Sequence, residues 1–236
     1  GIDLANASGW PFGGPWVDPA DACKNINYKT YSLKEGEKVT EKIEFIQQPL
    51  VRAVGQKPDI TKLTDPISKN KDLQLYALDQ IRFENPLPIL KLVAYSETGQ
   101  ILNLSGQLTA SRNLEWTAPA GNWTIYALFE GWHGKQAERA GPGGEGDVID
   151  HFSGKAIDTY LKHFDGIFNN YDIKSLRGYF NDSYEVDDAS GQADWTNYMF
   201  NEFSLRRGYD LGRNLPALFQ KDDPEKNARV LSDYRQ

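Results

Sequence analysis

The sequence predicts an α/β fold interrupted by an antiparallel β-rich insert, and three observations predict it. From residue 134 onward the chain reads loop, helix, strand, polar cluster, helix, which is one βα unit of a barrel or a doubly wound sheet. Residues 25–133 instead hold several short apolar runs separated by turn residues, the pattern of an antiparallel sheet or sandwich. Residues 1–24 run from a short apolar–polar stretch straight into an aromatic loop, as a barrel strand does at its C-terminal end.

The first stretch continues into "SGWPFGGPW" (8–16), where Gly9, Pro11, Gly13, Gly14 and Pro15 forbid regular structure. Trp10, Phe12 and Trp16 on that loop read as a buried plug or as a ligand wall. In the second stretch, "KVTEKIEFI" and "LQLYALDQIRF" alternate partly with period two. "ILKLVAYSETGQILNL" places Glu97-Thr98-Gly99 between two apolar runs, a hairpin signal, and "LEWTAPAGNWTIYALFEGW" repeats it with Pro119, Gly121 and Asn122 in the turn. This part reads as a structural β insert or as a carbohydrate-binding surface with Trp116, Trp123 and Trp132 as platforms.

The third stretch opens with the Gly-rich, charged "GKQAERAGPGGEGDVIDHFS". A helix follows with Ser153 as N-cap and Ile157, Leu161, Phe164 and Phe168 on one face. Leu176–Phe180 reads as a strand. A helix from about Asp194 carries Trp195, Met199 and Phe203 at four-residue spacing and ends at Gly208. Asp223-Pro224 starts a last helix by the cap-then-proline rule.

Composition narrows the function classes. A formal net charge of −7 with no basic run argues against a nucleic-acid partner. Cys23 is the single cysteine, so no internal disulfide can form. No apolar stretch approaches the ~20 residues needed to cross a bilayer, so no membrane partner is expected. The chain opens without an initiator Met and is expected to be an excised piece of something longer.

The densest chemistry lies in "GYFNDSYEVDDAS" (178–190), where an apolar run ends in Asn181, Asp182, Ser183, Tyr184 and Glu185. A carboxylate just past such a strand, beside Tyr184 and Val186, is a candidate general acid if desolvation raises its pKa; the bland alternative is the first solvated residue after a strand. Asn181 and Asp182 could contact sugar hydroxyls or cap the turn, and Asp187 and Asp188 read as a solvated extension. Glu145, Asp147, Asp150 and His151 form a second polar cluster. Its oxygens suit Ca²⁺, although the spacing is not that of an EF-hand, and His151 taken alone reads as a structural hydrogen-bonding group. There is no phosphate loop, no zinc spacing and no nucleophile elbow. Paired carboxylates plus aromatics point to glycoside hydrolysis, yet no second segment is as persuasive as 178–188.

"DLANASGWPFGGPW", "LFEGWHGKQAERAGPGGEGDVIDHFS" and "FNDSYEV", followed by "ADWT" and "RRGYDLGRNLPAL", closely resemble the bacterial α-L-rhamnosidase family, glycoside hydrolase family 106. The resemblance covers nearly the whole chain, most weakly 25–90. It implies part of a (β/α)8 (TIM-type) barrel with an inserted antiparallel β-rich subdomain, divided as 1–24, 25–133 and 134–236. It also implies an inverting hydrolase of pectin-type plant cell-wall polysaccharides, secreted or periplasmic, with Ca²⁺ assisting sugar binding. Glu185 matches the expected general acid. Asp3, Trp10, Trp16, Glu145, His151, Asn181, Asp182 and Tyr184 are the expected substrate contacts. Family members are much longer, so the partner base is expected beyond Gln236 and the isolated piece is expected to be inactive. Open edges would be covered by the rest of its own barrel or by self-association.

Overall fold

The computed structural model describes residues 1–5, 7–47, 50–52, 80–82, 85–137, 139–144, 146–171, 174–180 and 193–236. The strands begin with β1 (Ile2–Leu4), β2 (Lys24–Leu33), β3 (Ile46–Gln47), β4 (Leu50–Arg52) and β5 (Gln80–Arg82). They continue with β6 (Asn85–Pro86), β7 (Ile89–Ser96), β8 (Ile101–Asn103), β9 (Trp123–Trp132) and β10 (Leu176–Tyr179). The helices are α1 (Gly154–Phe168), α2 (Met199–Arg207), α3 (Leu215–Leu218) and α4 (Pro224–Arg235). The chain divides into two compact units, one of residues 1–25, 47–85 and 132–196, the other of 26–46, 86–131 and 197–236. Secondary structure is mixed α/β with an antiparallel sheet; a barrel is not evident among the described residues.

In the first unit β1 and β10 pair in parallel, with Asp3 opposite Gly178 and Leu4 opposite Tyr179. Helix α1 precedes β10 and starts where Ser153 accepts a hydrogen bond from the Ala156 N–H at 3.2 Å, the expected cap. Its buried face differs from the expected one. Ala156 and Tyr160 are buried, whereas Leu161 is 41% exposed. The face is set by what meets it: Phe12 stacks on Tyr160 at 5.6 Å, and Trp16 stacks on His163 at 4.3 Å.

The second unit is built on a four-stranded sheet in the order β2-β9-β7-β8. The β7–β8 hairpin turns at Glu97-Thr98-Gly99 as expected, with Gly99 at φ 87°. The second expected hairpin does not form. β9 pairs with β7 and β2, and residues 114–118 instead bond to other loops, Glu115 N–H to the Gln107 carbonyl and Ala118 N–H to that of Glu37. "KVTEKIEFI" is strand only at its last residue, Ile46; Ile43 is fully buried as a loop anchor, its N–H on the Arg112 carbonyl.

Burial on both faces of β9 explains its nearly continuous apolar run. Trp123, Ile125, Ala127 and Phe129 enter a core with Leu92, Leu104 and Trp116. Tyr126 faces the other side, 5.5 Å from Tyr95 and 6.2 Å from Phe219. The C-terminal helices thus pack on this sheet, where Tyr28 stacks on Phe219 at 3.8 Å and the Tyr95 hydroxyl donates to the Gly212 carbonyl at 2.7 Å. Trp116 and Trp123 meet edge to face within the core, 9% and 2% exposed, and so cannot serve as sugar platforms.

The expected helix from Asp194 starts later, at Met199. Trp195 is 1% exposed and sits in an isolated bridge to Lys24. That pairing holds its backbone extended, so four-residue spacing misleads there. Gly208 (φ 75°) and Asp223, which accepts from Glu225 and Lys226 N–H, end α2 and begin α4 as expected.

Candidate active site

The carboxyl ends of the parallel pair lie side by side. Ala5 follows β1 and Phe180 follows β10, and the Phe180 N–H donates to the Leu4 carbonyl at 2.7 Å. An apolar cleft opens there, lined by Ala5, Ala7, Trp10, Pro11, Phe12 and Phe180. Aromatic faces at the carboxyl ends of parallel strands suit the C–H face of a pyranose, and this is where α/β folds gather their ligands.

The aromatic loop is held by a second glycine-rich loop. Gly14 N–H donates to the Asp147 carbonyl at 3.1 Å, Ile149 N–H to that of Phe12 at 3.0 Å, and Gly13 bridges Val148. A Cβ on Gly13 would lie 2.5 Å from the Asp147 carbonyl oxygen, and one on Gly146 would overlap the Gly14 carbonyl and come within 2.6 Å of Pro15 N. The glycines therefore allow backbone to pack on backbone. Tyr160 adds a hydroxyl to the Gly13 carbonyl at 3.3 Å.

Behind these loops lie buried polar groups. Lys24 is 4% exposed and donates to the Ala20 and Ala22 carbonyls at 2.7 Å each. Cys23 contacts His133 Nδ1 through sulfur at 3.7 Å, and burial pushes its thiol up to about 12, so it is no nucleophile. Burial raises Asp150 above its ordinary carboxylate value, against the opposing hydrogen bond from the Phe152 N–H at 3.0 Å. Burial lowers His151, whose Nδ1 lies 3.0 Å from the Ile149 carbonyl. The neutral ring is thereby favoured, with Nδ1 as the donor.

Among the described carboxylates Asp147 is the most perturbed. Burial lifts it to about 6, against the hydrogen bond from Gln136 (3.3 Å) and the charge of Lys24. Its folded pKa exceeds the ordinary value of 3.8, so the folded state binds the proton more tightly. Stability from this group is full below 3.8 and is lost as pH rises through about 6, a cost of roughly 3 kcal/mol at neutral pH. Asp147→Asn, isosteric with the protonated acid, is expected to raise urea stability at pH 7.5 by up to ~3 kcal/mol and to change little at pH 4. An equal difference at both pH values would contradict the desolvated carboxylate. Sequence reading placed Asp147 in the acidic cluster without singling it out; its signal was the glycine on its N-terminal side.

The expected contacts divide. Trp10 lines the cleft. Trp16 lies instead against α1, tilted on Tyr160 and edge-on to Phe164. Asp3 is ion-paired to Arg177 on β10, its Oδ1 2.9 Å from Nε. His151 is half-buried two residues before Ser153. Glu145, Asn181, Asp182, Tyr184 and Glu185 lie outside the described residues. Among the described residues no three His, Cys, Asp or Glu side chains group closely enough to hold a metal.

Comparison with known proteins places the chain among glycoside hydrolases. A family model described as alpha-L-rhamnosidase (Glyco_hydro_106) matches residues 86–236. A Formosa agariphila protein that carries a provisional beta-glucuronidase name is 32% identical over 251 residues, covering 100% of this chain and 21% of that protein. The chain thus spans about a fifth of the length of that curated relative. The solved rhamnosidase of Novosphingobium sp. PP1Y aligns with a TM-score of 0.63 at 17% identity, over 99% of this chain and 36% of that one. At that identity the likeness is one of fold.

Proposed function

Since this chain belongs to the alpha-L-rhamnosidase family, glycoside hydrolase family 106, we propose that it is part of a secreted or periplasmic hydrolase that inverts the glycosidic bond of pectin-type plant cell-wall glycans. Glu185 is the general acid in this reading and protonates the leaving oxygen, while Trp10 and Phe12 receive the apolar face of the sugar. The observation that carries it is the parallel β1–β10 pair: the aromatic loop follows β1, Phe180 follows β10, and Phe180 and Trp10 line one cleft. That pairing also supports β1 and β10 as neighbouring strands of a (β/α)8 barrel. Inversion needs a second carboxyl ~6.5–9.5 Å away with room for water, and we assign that base to sequence outside this chain.

The relative's beta-glucuronidase name favours a second reading of the same cleft, in which the released sugar is a uronic acid. The assay uses a chain of the relatives' length that contains these residues, offered aryl α-L-rhamnosides and aryl β-D-glucuronides. Proton NMR then follows the first anomer released. Rhamnoside cleavage with β-L-rhamnose appearing first is the expected result. A retained anomer would defeat inversion, and cleavage of the glucuronide alone would favour the second reading. The 236-residue chain by itself is expected to show little or no turnover; cleavage by the purified piece would place the base within it.

A further inference from the structure

We propose that Arg139, held above the cleft-lining Trp10, is a specificity-determining residue that recognises a carboxylate-bearing sugar, a uronic-acid unit, in the bound glycan. This deepens the sugar-cleft reading and rests on it. The Arg139 guanidinium carbon lies 5.6 Å from the centroid of the Trp10 ring, and the side chain is exposed. A guanidinium at this distance over a ring is held by its charge, and its N–H fork can pair a carboxylate through two parallel bonds.

Arg177 is paired with Asp3, Lys24 donates to two carbonyls in the interior, and Lys135 is 4% exposed. None of the ion pairs among the described residues involves Arg139. Its backbone has φ 55°, a left-handed conformation that non-glycine residues rarely adopt. An arginine kept there, over an aromatic ring at the cleft, is placed by the fold and is more than a solvated surface charge. The chain as a whole carries −7, so bulk attraction does not account for an acidic ligand and the recognition must be local.

Titration calorimetry of the whole 236-residue chain tests this with two probes, a short oligogalacturonide and the same oligomer with its carboxyls methyl-esterified. The free acid is expected to bind about tenfold or more tightly than the ester. Arg139→Gln is expected to erase that preference while leaving the affinity for the ester unchanged, and Arg139→Lys to restore part of it. Circular dichroism checks that each variant is folded. If acid and ester bind equally and Arg139→Gln alters neither, the carboxylate inference falls and the sugar-cleft reading stands. If the folded chain binds neither oligomer, both fall.

Discussion

Replacing Glu185 by Gln is expected to lower hydrolysis of glycosides with poor leaving groups by about 10²–10⁴-fold. The amide keeps the size and polarity of the side chain but has no proton to give to the departing oxygen. The loss should therefore scale with leaving-group basicity. Alkyl glycosides should suffer most, and dinitrophenyl glycosides, whose leaving oxygen needs no protonation, should react nearly as before. Measuring kcat/KM across such a series in a chain of the relatives' length checks the role, because a merely structural Glu185 would slow every substrate alike. A variant with full activity on alkyl glycosides would remove Glu185 from the mechanism. The assignment draws on "FNDSYEV" and on the strand that ends beside the cleft.

Gly146→Ala is expected to have the largest effect on stability. The added methyl would overlap the Gly14 carbonyl and approach Pro15 N to 2.6 Å, and both obstacles are backbone, with no rotamer to yield. The two glycine-rich loops must then separate. That movement stretches the Gly14 N–H bond to Asp147 and the Ala137 N–H bond to the Gly146 carbonyl. A cost of about 3 kcal/mol or more follows from overpacking together with the disturbed hydrogen bonds. Gly141→Ala is the control. It lies in the same loop, a methyl there would meet nothing within 4 Å, and its effect should stay within about 0.5 kcal/mol. Thermal and urea denaturation of both variants decide the matter, and equal stabilities would refute the close backbone packing. Because the displaced loop carries Trp10, sugar affinity should fall with stability.

Local signals in the sequence were legible because the interactions behind them close within a few residues. Ser153 and Asp223 cap their helices through N–H groups two or three positions away, Gly208 takes the left-handed φ that ends α2, and Glu97-Thr98-Gly99 turns its hairpin. Periodicity failed where burial came from both sides or from a distant partner. β9 is covered on both faces, so its partner strands could not be read from alternation. Trp195 at helical spacing was captured by Lys24, 171 positions earlier in the numbering. Trp116 and Trp123 carried the composition of a sugar platform, and the core claimed them.

The candidate site divides along the same line. By itself the sequence determined which residue types stand at which strand ends: an aromatic Gly/Pro loop after Leu4, a glycine-rich acidic loop before Ser153, and the Glu185 motif after Phe180. Only the tertiary structure decided that β1 lies parallel to β10, so that Phe180 and Trp10 share a cleft, and that Gly13 and Gly14 pack on Gly146 and Asp147. It also set Arg139 over Trp10, turned Trp16 toward α1 and buried Asp147 enough to raise its pKa. The physical reason is range: caps and turns are chosen by interactions between near neighbours, whereas strand pairing, desolvation and backbone-to-backbone packing join segments more than a hundred residues apart.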